Sequence, residues 1–156
     1  MTIALERPVT TDPLTLLGPD MADRLALRIT AEHPEITPAT ALRIVGQAAA
    51  FIVASAQTTD PLAPSQLVDI GWHTFILHTV DYATFCERVV GRFVHHVPTS
   101  EAEEATDGAQ STRERTLAAI TAAGYTVDEA LWPDLADCTQ CHAGCTDSPN
   151  SGKGKK

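Results

Sequence analysis

Positive charge is scarce in this chain. Its 11 Lys and Arg stand against 20 Asp and Glu, giving a net charge of -9 over 156 residues. So acidic a surface repels nucleic acid phosphates and anionic lipid headgroups alike, which argues against general nucleic-acid or membrane binding. No continuous lipophilic run approaches the ~20 residues that span a bilayer, the longest being Ala48 to Ala56. Met1 to Pro8 carry no basic start followed by an apolar stretch of signal-peptide length, so a cytoplasmic protein is expected. In that compartment the four cysteines read as thiols or metal ligands rather than structural disulfides. No segment alternates with period two, so no strand is expected, and no internal repeat is evident.

What is present is helix punctuation around enough apolar material, 44% of the chain, for one domain with a real core. Pro19-Asp20 opens a helix through about Glu32, with Met21, Leu25 and Ile29 on one face and His33-Pro34 at its end. Thr37-Pro38 starts a second, a capping hydroxyl before a proline whose missing N–H does no harm there, and it runs to about Gln57. Pro64-Ser65 precedes the central helix, which Ser65 can cap. Tyr82, Phe85, Cys86, Val89, Val90 and Phe93 recur at helical spacing and predict a further helix to Phe93 with these residues buried. Ser111-x-x-Glu114 and Thr126-x-x-Glu129 read as capping boxes, the first for a helix to Ala123 and the second for a short one toward Leu135. The expectation is all-α: a single compact domain of about five helices. An arm covers 1–18, the helical domain 19–136 with an acidic linker at 99–110, and a flexible Cys/Gly/Lys tail 137–156.

The central helix carries the candidate chemistry. From Leu67 to Thr79 the apolar residues are too continuous for one exposed face, so the segment reads as surrounded by protein. Asp69 and His73 interrupt it four residues apart, on one side of the helix. Burying a neutral polar group without a partner costs about 2–7 kcal/mol, and a charge more, so each needs a partner. With Cys86 and either His95 or His96, they form a donor set that zinc accepts in tetrahedral array; His96 is the preferred member of that pair. The competing reading has no metal: Asp69 bonds an arginine or a helix end, His73 donates to a carbonyl, and Cys86 is a small core residue. A Cys86–His73 nucleophile and base would lack any recognisable orienting group or oxyanion feature. His78 lies about 140° round the helix from His73 and reads as structural or surface.

The chain closes with a second cluster, Cys138, Cys141, His142 and Cys145. Three thiolates suffice for part of an iron–sulfur site or, with His142, a zinc site. Cys138-x-x-Cys141-His142 also matches the attachment motif of c-type haem, a modification made outside the cytoplasm. Paired thiols at this spacing can cycle to a disulfide, although the βαβ context of thioredoxin-like proteins is missing.

The blocks Val68-Asp69-x-x-Trp72-His73-x-Phe75-Ile76-Leu77-x-Thr79-x-x-Tyr82-x-x-Phe85-Cys86, Gly91-x-Phe93-Val94-His95-His96-x-Pro98 and Gly124-Tyr125-x-Val127-Asp128-x-x-Leu131-Trp132 resemble the small bacterial members of the glycine-rich domain-containing protein-like family. The resemblance implies a helical domain without a settled enzymatic activity. Larger plant relatives carry a glycine-rich extension and are linked to RNA binding, whereas this chain has nine glycines and an acidic balance. Together the residues lead to the expectation of a small cytosolic helical metal-binding protein, with zinc first and iron second as the ion. Asp69, His73, Cys86 and His96 would form a buried site, with Cys138, Cys141 and Cys145 as accessory ligands. An open coordination position would make it a hydrolase or lyase. The rival is a metal-free helical module that binds a protein partner.

Overall fold

A computed structural model describes residues 8–97 and 108–134. Five α-helices occur there: α1 (Pro19–Glu32), α2 (Pro38–Gln57), α3 (Gln66–Leu77), α4 (Thr79–Phe85) and α5 (Gly108–Ala122). The described residues hold no named strand, only an isolated bridge between Thr11 and Tyr125. The protein is therefore an all-α single domain, as its punctuation predicts. The tail with Cys138, Cys141 and Cys145, the acidic linker around Glu101 to Asp107, and Leu135 lie outside the described residues.

The domain is built around α2. Thr37 caps it, its hydroxyl accepting the Thr40 N–H at 3.2 Å, and Pro38 opens its first turn. Ile44, Val45, Ala48, Ala49, Ala50, Phe51 and Ile52 are all buried, so α2 meets neighbours on nearly every side. By length and composition this 20-residue helix could cross a membrane, a span wider than the Ala48 to Ala56 run; here 67% of its 18-residue apolar window is buried inside the domain. α1, α3, α5 and a 3₁₀ turn at Pro13–Leu16 pack on it.

Small residues set the closest of these approaches. A Cβ placed on Gly71 of α3 would meet Ile44 Cγ2 at 2.9 Å, Ala48 Cβ at 3.0 Å and the Ile44 carbonyl oxygen at 3.0 Å. The last of these is backbone, so a methyl there forces α2 and α3 apart. Gly71→Ala is expected to cost about 1–3 kcal/mol of stability despite alanine's better helix propensity, as read by urea denaturation.

The C-terminal strap, Thr126 to Trp132, is tied to α2 by Gln47, which is buried among alanines. Its Nε2 donates to the Thr126 carbonyl at 2.9 Å, while its Oε1 accepts from Trp132 Nε1 at 2.9 Å and from the Asp128 N–H at 3.2 Å. One turn earlier, Arg43 forks onto the Asp128 carboxylate, with Nη2 to Oδ1 at 2.8 Å. That hydrogen bond, aided by the guanidinium charge and opposed by partial burial, holds the Asp128 carboxyl below its usual range. Ser65 fastens the same strap to α3: its hydroxyl caps the helix through the Val68 N–H at 3.1 Å and donates to the Leu131 carbonyl at 2.6 Å.

Three local expectations need correction. The predicted helix from Tyr82 to Phe93 is regular only to Phe85; a π-turn over Cys86–Val90 succeeds it and ends at Gly91, whose φ of 84° is left-handed. The widened turn rotates the segment beyond it, so Phe93 leaves the buried face and is 45% exposed. Ser111 does not begin α5, which already runs from Gly108. Thr126 caps nothing: its hydroxyl pairs with that of Thr10 at 2.8 Å, and the short turn Glu129–Leu131 starts at Asp128 without a side-chain cap.

Candidate metal centre

α3 is less enclosed than its composition predicts. Val68, Gly71, Trp72, Thr74 and Phe75 are buried, but the side bearing Asp69 and His73 faces outward. The reason is placement: among the described residues α2, α1 and α4 pack against α3 and leave the side bearing His73 exposed. The side chain of His73 is 62% exposed and that of Asp69 35%, so the expected buried site is a surface one. The same-side prediction for this pair is met, with His73 Nδ1 3.4 Å from Asp69 Oδ2.

The third member arrives from the segment after the π-turn. His96 Nε2 lies 2.7 Å from Asp69 Oδ1, and the His96 side chain is only 13% exposed. Its ring sits 4.3 Å from that of Trp72 and 4.5 Å from that of His73. One carboxylate thus addresses two imidazoles, one through each oxygen. Donor atoms from Asp69, His73 and His96 all lie within 4.8 Å of one another.

The other sequence candidates fall elsewhere. Cys86 is fully buried in the core beside Tyr82 and is not one of the grouped donors. On the first residue of the π-turn it belongs to the apolar face of α4, which corrects its assignment as a ligand and matches the small-core-residue alternative. His95 is exposed, its ring 4.7 Å from Phe93, because successive residues of this extended segment point opposite ways and only His96 turns toward Asp69. His78 bonds the Thr74 carbonyl through Nδ1 at 2.9 Å, a local helix-end contact.

A buried relay that sequence reasoning missed holds His96 in place. Tyr82 was legible only as a core aromatic. Its hydroxyl accepts from Trp72 Nε1 at 3.0 Å and donates to the Val94 carbonyl, two residues before His96. Burial, more than any neighbour, pushes the Tyr82 phenol far above its usual range, so it remains protonated and able to donate. Tyr82→Phe would orphan both the Trp72 N–H and the Val94 carbonyl. The expected loss is about 1–3 kcal/mol in denaturant unfolding, with looser packing of His96 on Trp72.

The sequence model of the UCP032817-like family matches residues 19–124, more than half of the chain. The chain belongs to the UCP032817-like family. This corrects the resemblance to the glycine-rich domain-containing protein-like family. The residues that carried it, Trp72, Phe75, Tyr82 and Phe85 above all, are core positions of α3 and α4, and they record helix packing. The match includes Asp69, His73 and His96 and stops before Cys138. No curated protein and no solved structure matches this member of the UCP032817-like family. The family's name carries no activity.

Chemically, an O, N, N donor set suits zinc, and equally ferrous iron, whose two-histidine, one-carboxylate sites keep open positions. With metal bonds of about 2.0–2.2 Å, tetrahedral donors sit roughly 3.3 Å apart. These distances run to different carboxylate oxygens, 3.4 Å from His73 to Oδ2 and 2.7 Å from His96 to Oδ1, so one coordinating oxygen requires the carboxylate to turn and His96 to part from it by about half an ångström. Asp69 also stands in the first turn of α3, where the helix dipole favours its charge.

Proposed function

We propose that this UCP032817-like protein is a small helical metal-binding protein whose ion, zinc first and ferrous iron second, is held by Asp69, His73 and His96. The observation that carries the reading is the convergence of a carboxylate and two imidazoles from two separate segments, with their donor atoms within 4.8 Å. His96 comes to Asp69 and His73 from 27 and 23 residues further along the chain, and exposed ion pairs alone contribute little to stability. A set of three ligands leaves a further position free, the feature that separates catalytic zinc sites from closed structural ones. The acidic balance of the chain favours cations over nucleic acid or membrane as partners.

A second reading is favoured by one specific contact. The Asp69–His96 hydrogen bond at 2.7 Å satisfies the less exposed imidazole by itself, so the trio can act as a metal-free clasp in an interaction module. Elemental analysis of natively purified full-length protein decides between them. Near-stoichiometric zinc or iron in the parent chain, lost in both His73→Ala and His96→Ala, is expected. Absence of metal from the parent, or retention in both variants, would leave the clasp.

A further inference from the structure

We propose that the extended segment 93–97, beyond the π-turn, is a docking edge to which an extended acidic peptide of a partner protein adds as a strand. The inference is independent of any metal at Asp69, His73 and His96. Along the segment Phe93, His95 and Val97 are exposed while Val94 is buried and His96 turns inward, so one face points to solvent with the period of a strand. Its backbone is equally open. Among the described residues no N–H or carbonyl of 93–97 bonds another backbone group. The Tyr82 hydroxyl takes the Val94 carbonyl, and successive carbonyls of an extended chain point to opposite edges, so those of Phe93 and His95 are directed away from Tyr82. Such a row of unpaired donors and acceptors is a template for strand addition. The outward face is already built: the Phe93 ring packs edge-on against Tyr82 at 5.2 Å and lies 4.7 Å from the His95 ring.

Charge selects the occupant. Among the described residues Arg24, Arg28 and Arg43 are held by carboxylates and Arg113 and Arg115 by carbonyls, whereas Arg88 and Arg92 make no hydrogen bond or ion pair. Arg88 stands in the last turn of the π-turn and Arg92 directly precedes Phe93, so both free cations border the edge. Glu87 is the lone carboxylate of 86–97, which leaves that stretch cationic on a chain whose net charge is -9. A carboxylate-rich strand therefore gains charge-assisted contacts in addition to its backbone bonds. Its alternate apolar side chains would lie against Phe93 and Val97. A nucleic acid offers the arginines phosphate but cannot pair with the backbone edge, and the acidic chain repels it.

The probe is a fluorescein-labelled peptide of alternating glutamate and valine, titrated against the full-length protein by fluorescence anisotropy. Expected is saturable binding that Arg88→Glu/Arg92→Glu weakens at least about tenfold, with circular dichroism confirming that the variant is folded. The same peptide N-methylated throughout should not bind, because it has no N–H to donate. Amide hydrogen exchange should be fast at Phe93 and His95 in the free protein and slow when the peptide is bound. Equal binding by parent and variant, or by the N-methylated peptide, would overturn the proposal, as would no binding at all. Tighter binding of a single-stranded oligonucleotide would also overturn it, assigning the arginines to phosphate. Protection of the Phe93 and His95 amides before peptide is added would mean that the chain itself or a second copy already covers the edge, and would overturn the peptide as occupant.

Discussion

Gln47→Leu is expected to destabilise the protein by about 3 kcal/mol, more than any other single polar-to-apolar change in the core. Leucine has nearly the right volume, so the loss is one of hydrogen bonding. It strands the Thr126 carbonyl, the Asp128 N–H and the indole N–H of Trp132 together. A buried unsatisfied group costs about 1–3 kcal/mol, which would suggest a still larger sum. Water moderates it, because Thr126 and Asp128 border a surface concavity beside Arg43 and can be partly resolvated. Trp132 cannot: it is buried against Phe51, ring centroids 6.4 Å apart. Urea denaturation monitored by tryptophan fluorescence measures the effect. An unchanged midpoint would mean that the strap is not fixed through Gln47.

Asp69→Ala is expected to weaken zinc binding by at least about 100-fold, or 2.7 kcal/mol, while barely changing the fold. The asymmetry arises from its position. Asp69 is one of three donors and also the group that orients His96, so its loss removes a ligand and frees a second. Its side chain is partly exposed and its contacts are at the surface, so the unfolding free energy should move by less than about 1 kcal/mol. Asp69→Asn keeps one oxygen donor but not the charge, and falls between. Competition against a chromophoric chelator reads the affinities. Equal affinity for parent and Asp69→Ala would remove the carboxylate from the site.

Most of the fold is legible in the sequence because helix ends here are written in side chains. Pro19, Thr37-Pro38 and Ser65 mark starts that the structure keeps, each satisfying or sparing a backbone N–H. Where the same vocabulary misleads, tertiary contact has overridden it: Thr126 has the form of a cap but pairs with Thr10, across the bridge that joins Thr11 to Tyr125. The π-turn after Phe85 has no periodic signature, and it changes the course of the segment that carries Phe93 and His96. Continued regularly, the helix would have kept Phe93 on its buried face. With an extra residue in the turn, Phe93 emerges and His96 folds back to Asp69.

The candidate site was half legible for a related reason. Asp69 and His73 are joined by helical spacing, which sequence displays, whereas His96 is joined to them by Tyr82, which sequence displays only as an aromatic. Gln47 is a missed signal of a simpler kind. A lone amide within Val45-Gly46-Gln47-Ala48-Ala49-Ala50 of a core helix must find partners, and it finds three. Cys86 shows the opposite error, since a metal-competent atom on an apolar face is more readily explained by packing.

The most direct test of the metal reading is a zinc titration of the full-length, reduced protein, observed through the imidazole nitrogens of His73 and His96 by NMR. One equivalent of zinc is expected to shift a nitrogen of each ring to the range of a metal-bound imidazole, in parallel, and to leave His33 and His78 unmoved. Zinc shifts in neither ring, or in exposed His95 alone, would contradict the metal reading and leave the Asp69–His96 hydrogen bond, with His73 beside it, as a clasp between α3 and the segment beyond the π-turn.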